Sequence, residues 1–367
     1  MASASKTHFH LHNHPDHSHL RWSRSIPPVL TVPSGAEITL ELPDGGGNQI
    51  TRENVAAETA LSSFDVSKAD PGVGPIYVEG AEAGDVLRVD FLAIEPVVDF
   101  GWTAVFPGFG LLRDDDEFAS GGHGVKIFDL GTPGSKDWVA DRGYIVFRPG
   151  TKRAAGEETP DREEIRIPYR PFLGLVGIAP AEGEHSMIPP LEATGGNIDT
   201  RWLGVGSSLY LPVQVPGALL SLGDGHAAQG DGEVCGTAIE TRMRARIRVS
   251  VEKNEKGEKR WVRSPWVLTA KQPQGEPRRR SGLEGAEEGR EFMCLGVHGD
   301  PAEATRRAVR GVVEWLGAEK GLDATEAYML VSVAGNLRMC EVVDMPNYAI
   351  GCAVPLDIFV SLDLEVG

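Results

Sequence analysis

Cysteine is scarce in this chain of 367 residues: Cys235, Cys294, Cys340 and Cys352 are widely spaced and form no Cys-x-x-Cys pair. Neither a zinc ribbon nor a dithiol redox centre is therefore expected. No run of about 18 apolar residues occurs, and the N-terminus carries no apolar h-region. The expectation is a soluble cytoplasmic protein with reduced thiols and no membrane partner. Positive charge is also short, with 36 Lys and Arg against 53 Asp and Glu and a net charge of -17. Such a balance disfavours nucleic acid and anionic membranes, and it favours cations and neutral substrates near any carboxylate cluster. Aromatics are modest at 7%, whereas glycine (45) and proline (25) are abundant, which points to a turn-rich β protein. The length allows one large or two ordinary domains with a substantial core.

Three regions follow along the chain. Residues 1–24 hold His8, His10, His12, His14, His17 and His19. Four of these alternate, so an extended segment would carry them on one face. The tract reads as a partly mobile terminus able to bind metal adventitiously. His19, just before Arg21-Trp22, is a candidate active-site residue. Residues 25–295 form a β-rich body. Strands are expected at 29–32, 37–42, 84–91, 209–222, 241–251 and 261–268 from alternation and turn punctuation. Charged loops are expected at 113–117, 151–164 and 268–290, the last passing through Arg278, Arg279 and Arg280, and 165–183 reads as extended and irregular. Residues 296–367 open with Asp300-Pro301-Ala302-Glu303, an N-cap acceptor, Pro at N1 and Glu at N3. Asp323-Ala324-Thr325-Glu326 repeats the signal, so a helical pair is followed by extended chain from Tyr348. The fold class is α+β, predominantly antiparallel β in sandwich or barrel-like layers with a C-terminal helical pair.

The densest chemistry lies in Gly223-Asp224-Gly225-His226-Ala227-Ala228-Gln229-Gly230-Asp231-Gly232-Glu233. Asp-Gly and Gly-Asp pairs are ordinary turn chemistry. A plain turn, however, needs neither His226 nor Glu233. Hard oxygen donors with one imidazole suit a divalent cation such as zinc. The segment reads as an acidic loop leaving the end of the 209–222 strand.

These motifs resemble the acetamidase/formamidase family. The resemblance rests on the acidic loop with its continuation to Glu240, and on Trp22-Ser23-Arg24-Ser25-Ile26-Pro27-Pro28-Val29, Gly74-Pro75-Ile76-Tyr77-Val78-Glu79-Gly80-Ala81 and Glu184-His185-Ser186. Gly195-Gly196-Asn197-Ile198-Asp199, Leu209-Tyr210-Leu211-Pro212-Val213, Glu326-Ala327-Tyr328-Met329-Leu330 and Glu341-Val342-Val343-Asp344 extend it over nearly the whole chain. It implies hydrolysis of short amides, formamide or acetamide, to carboxylate and ammonia by a β-rich cytoplasmic homo-oligomer that contains metal.

Amide hydrolysis needs a nucleophilic water, stabilisation of the oxyanion and a proton for ammonia, and a bound divalent metal supplies the first two. Asp199, Asp224, His226 and Glu233 are the candidate ligands. Asp199 taken alone also reads as part of an Asx-turn. Glu184, His185 and Glu233 are candidates for acid/base work, while Asn197 and Gln229 could hold the amide. Glu240, alone on an apparent strand, needs a partner if buried. A substrate of three or four heavy atoms gains at most about 1.5 kcal/mol per atom, so weak binding and a tight pocket are expected. Trp102, Phe106, Phe109 and Trp202 could wall it, with residues 101–110 as a lid. Two alternatives stay open: a thiol amidase using Cys235 with His226 or His185, and a non-catalytic module binding a metal or small ligand.

Overall fold

A computed structural model of the chain describes residues 8–12, 14–119, 124–148, 164–254, 262–271 and 289–359. The expected charged stretch at 151–163, Trp261 and the Arg278–Arg280 loop lie outside these residues.

Two sheets carry the architecture. In the larger, the strand order is His8–Leu11, Glu37–Leu42, Met243–Glu252, Val86–Pro96, Ser208–Pro212, Trp266–Leu268, Glu291–His298, Tyr348–Pro355 and Asn336–Glu341. All neighbours pair antiparallel except the first two, which run parallel. Alternation dictates the faces. Ile38, Leu40 and Leu42 point into the core beside Ala245, Ile247 and Val249. On the outer face Arg244 and Arg248 donate to Glu41 and Glu37 at 3.2 and 2.6 Å.

The smaller sheet orders Pro190–Leu191, Gly195–Asn197, Phe172–Ile178, Leu220–His226, Gly72–Val78 and Ser18–His19, with Leu30–Val32 alongside Gly72–Val78. Its inner residues, among them Val73, Ile76, Val176, Leu220 and Leu222, share one core with Phe91, Leu209 and Ile247 of the larger sheet. Phe172–Ile178 and Leu220–His226 are buried along their whole length, so polar groups there lie in the interior.

The C-terminal helices start where their caps predict. Asp300 caps Pro301–Lys320 by accepting from Glu303 N–H at 2.8 Å, and Asp323 caps Ala324–Ala334 in a capping box with Glu326. The longer helix buries Ala308, Val312, Trp315 and Leu316 against Phe292, Cys294 and Val354 of the larger sheet.

Two expectations change. The alternating His tract is an edge strand over His8–Leu11, because Phe9 and Leu11 turn toward the core while His8 and His10 face outward. His8 also bonds Thr39 at 2.8 Å. The expected 209–222 strand is two strands, Ser208–Pro212 and Leu220–His226, in different sheets. The run between them turns through Gly217, Ala218 and Leu219 at positive φ, which apolar composition conceals.

Candidate active site

The site is built from the middle of a sheet rather than from a loop. Gly223 to His226 belong to the Leu220–His226 strand, which pairs with Phe172–Ile178 in the register Leu175↔Gly223, Leu173↔Gly225 and Phe172↔His226. Glycine is required there because neighbours come close. A Cβ at Gly223 would sit 2.5 Å from the Pro71 carbonyl oxygen, and one at Gly225 would strike Met243 and the Thr241 carbonyl. From the facing strand, a Cβ at Gly174 would collide with the carboxylates of Asp199 and Asp224. Gly45 leaves similar room: its Cβ would lie 2.5 Å from Asp224 Oδ1 and 3.1 Å from Glu240 Oε2.

Asp199, Asp224 and Glu233 have φ of 37°, 55° and 47°. Non-glycine residues rarely adopt this left-handed region, and such strain gathers at functional sites. All three side chains are buried with His226 and Glu240. His226 bonds the Gln229 side-chain oxygen through Nδ1 at 2.8 Å, so Nδ1 carries a proton donated to that oxygen. Its Nε2 faces Asp224 Oδ1 at 2.9 Å, Glu240 Oε1 at 3.2 Å and Glu233 Oε1 at 3.9 Å. Donor atoms within 4.8 Å of one another occur in three overlapping sets: Asp199, Asp224 and His226; His226, Glu233 and Glu240; Asp199, Glu233 and Asp344.

The electrostatics follow from crowding. Burial, then the charges of Glu233, Asp224 and Asp344, pushes the Asp199 carboxyl well above its usual range. Burial and neighbouring carboxylates do the same for Glu233, Asp344 and Asp70. Glu240 is raised by burial to about 7 despite the opposing pull of His226. Burial disfavours the charged imidazole, but Asp224 and Glu240 outweigh it and hold His226 well above its usual value. Asp224 is lowered, because the imidazole overrides the effect of burial. Both carboxylate oxygens of Asp199 are buried and accept no hydrogen bond. This chemistry, many buried oxygens with one imidazole and space reserved by Gly174 and Gly45, fits a bound cation.

The nest forms the floor of a cavity of about 450 Å³. Asn197, Asp224, His226, Glu233, Glu240 and Asp344 reach it, as does Asp70 from the preceding turn. The walls are apolar and include Leu61, Phe64, Trp102, Phe106, Phe109 and Ile188. Among the described residues, no Lys or Arg lines it. Trp102 is fixed by donating Nε1–H to Asp44 at 3.2 Å.

The structure thus gathers the four expected ligands and brings Asn197 beside them, with its Nδ2 donating to Asp344 at 2.7 Å. Glu240 finds its partners in His226 and in the Ala238 and Gly45 N–H groups at 2.8 and 3.3 Å. Other expectations need correction. Glu184 and His185 are exposed and line no part of this cavity: His185 lies on the short His185–Ser186 strand paired with Trp22, and Glu184, just before it, faces Arg21 at 3.9 Å. Gln229 has both ends of its amide engaged, by His226 and by the Asp199 carbonyl at 2.6 Å, so it orients the imidazole rather than substrate. Trp202 lies under Arg338, away from the wall formed by Trp102, Phe106 and Phe109. His19 bonds Ser221 at 2.7 Å and does not line the cavity. Cys235 faces the Thr237 and Thr103 hydroxyls. The cavity is also too large for the tight pocket expected.

Asp70, Asp344 and Asp44 carried no usable signal as single residues. Asp344 could have been found from its place in the Glu341–Asp344 motif, whereas Asp70 resembles a turn residue at φ 51° before Pro71.

A sequence model of the acetamidase/formamidase family matches residues 5–186 and 181–361. A formamidase of Methylophilus methylotrophus is 30% identical over 380 residues, covering 93% of this chain and 89% of its own. An acetamidase of Mycolicibacterium smegmatis is 32% identical over 258 residues, covering 60% and 63%. Among solved structures, an acetamidase from Yersinia enterocolitica superposes with a TM-score of 0.74 at 26% identity, covering 98% of this chain and 95% of that one. An acetamidase from Bacillus halodurans gives 0.71 at 26%, covering 95% and 98%. The class these matches define is a β-rich amidohydrolase. The chain belongs to the acetamidase/formamidase family.

Proposed function

We propose that this chain hydrolyses short-chain aliphatic amides such as formamide and acetamide, with water, to carboxylate and ammonium at the 450 Å³ cavity. The observation that carries this reading is the clustering of Asp199, Asp224, His226 and Glu233, all buried, in overlapping sets of donor atoms, three of them, Asp224, His226 and Glu233, lining the cavity. We assign these four residues to hold a divalent cation, zinc by the mixture of imidazole and carboxylate donors. A cation held there would lower the pKa of water and polarise an amide carbonyl. The protein's own groups do the rest. Asn197 Nδ2 is committed to Asp344, leaving its buried, unpartnered Oδ1 to accept a substrate N–H. Glu240, near 7, is matched to receiving a proton and returning it to departing ammonia at neutral pH. The apolar walls lower the local dielectric and strengthen each of these interactions.

Ammonia release from formamide and acetamide tests the reading. It should be measurable for the wild type and lost in Asp224→Ala and Glu233→Ala variants that keep their circular dichroism. No release across a panel of short amides would end it.

The partner we propose is a second copy of the chain. Tyr328, Met329 and Val333 on the Ala324–Ala334 helix and Leu337 and Met339 on the neighbouring edge strand are exposed apolar residues. In a chain of net charge -17, that helix carries a single charged residue, Glu326. Copies that repel elsewhere can therefore meet there, and a sheet edge favours a like edge. Sedimentation should give an oligomer for the wild type and a smaller species for Val333→Asp; a monomeric wild type would refute this. The four free thiols, three of them buried, support a cytoplasmic setting.

A further inference from the structure

Cavity volume and substrate volume do not match. An engineered cavity of about 150 Å³ suffices for benzene, which has six heavy atoms. Acetamide has four, yet the cavity measures about 450 Å³. Bound with its amide at the carboxylate floor, acetamide would leave roughly two thirds of that space to water.

The unused space has a definite character. Besides the carboxylates and His226, the lining comes largely from two apolar segments: Leu61, Phe64 and Val66 on one, Phe106 and Phe109 on the other. Phe64 and Phe106 pack ring to ring at 4.7 Å, and Phe106 meets Trp102 edge-on at 6.4 Å. Val66 is 65% exposed although it lines the cavity. Apolar side chains left wet at a site mouth gain when a ligand covers them. Charged groups are confined to the floor, so an anionic or strongly polar acyl group finds no partner on these walls.

Resting on the amidase reading above, we infer that the cavity accepts primary amides with an extended apolar acyl group, a linear chain of about six carbons or a phenylacetyl group, in preference to acetamide. The amide would sit at Asn197 and the cation nest, while the acyl group covers Leu61, Phe64, Val66 and Phe106. Bonds formed and broken are unchanged: water adds its oxygen to the acyl carbon, and the C–N bond breaks to release ammonia.

The test is kcat/KM for acetamide, hexanamide and phenylacetamide with the metal-loaded wild-type protein, together with Leu61→Trp and Val66→Trp, which fill the apolar end. The inference expects hexanamide or phenylacetamide to exceed acetamide by about tenfold or more, the selectivity that apolar contacts supply. It also expects the ratio of long to short amide to fall at least tenfold in either Trp variant. The wild-type comparison does not depend on the variants folding. Turnover of acetamide with no gain for the longer amides would overturn this inference and leave the amidase reading intact. Turnover of none of the three by a correctly folded, metal-loaded protein would overturn both.

Discussion

At the scale of single residues, the site depends on groups that touch no substrate. Gln229 bridges the His226 ring and the Asp199 backbone, fixing which imidazole nitrogen faces the carboxylates. Such supporting groups are typically worth 10–100-fold in metal affinity or activity. Gln229→Ala should therefore lower both cation affinity and amide turnover by about that factor, measured by competition with a chelating dye and by ammonia release. Gly174 has an equally definite role, because any Cβ there enters the space of Asp199 and Asp224. Gly174→Ala should cost about 1–3 kcal/mol in denaturant unfolding, in line with overpacked cores, and should lower cation affinity. Cys235 stands apart: its sulfur faces Thr103 and Thr237, and it does not line the cavity. Cys235→Ala should keep ammonia release within a few-fold of wild type, whereas a thiol mechanism requires complete loss.

At the scale of elements, sequence patterns were most legible where one local rule acts alone. The caps Asp300 and Asp323 mark both helix starts, and Glu37–Leu42 alternates as read. Gly223-Asp224-Gly225-His226 was legible as chemistry but not as structure. Its glycines resemble turn residues, yet they stand in a buried strand because Pro71, Met243 and Thr241 press against it. That reason is tertiary and leaves no local trace. The same holds for Asp70 and Asp344, which enter the nest from distant segments. Glu184 and His185 show the converse: adjacent ionisable residues in a matching motif, yet both exposed at the surface beside a two-residue strand. In the His8–Leu11 tract the alternation places His8 and His10 on one outer face as read, while Phe9 and Leu11, whose apolar side chains turn toward the core, hold the strand at the sheet edge.

At the scale of the whole molecule, the core shared by two sheets contains an acidic interior whose charge must be balanced. Burial raises Asp44 to about 6 and Glu240 to about 7, and with neighbouring carboxylates it also raises Asp199, Glu233 and Asp344 well above their usual range. Each of these carboxyls binds its proton more tightly folded than unfolded. Their contribution to stability is therefore present at low pH and lost as pH rises through the folded values. His226, also raised, acts in the same direction; the lowered Asp224 opposes it, as does His19, which burial lowers. The cation-free protein should consequently melt at lower temperature at about pH 8 than at about pH 5.5, within the range where acid denaturation has not begun. Added divalent cation should remove most of that difference in calorimetry, since a ligand that binds only the folded state stabilises it. A melting temperature that rises with pH in the cation-free protein would contradict this account of the interior.

The measurement that bears most directly on the central claim is acetamide hydrolysis by protein stripped with a chelator and then reloaded, with metal content determined in the same samples. The account predicts that ammonia release disappears on stripping, returns on adding zinc or another first-row divalent ion, and does not return in Asp224→Ala. Undiminished release by protein containing no metal would contradict it.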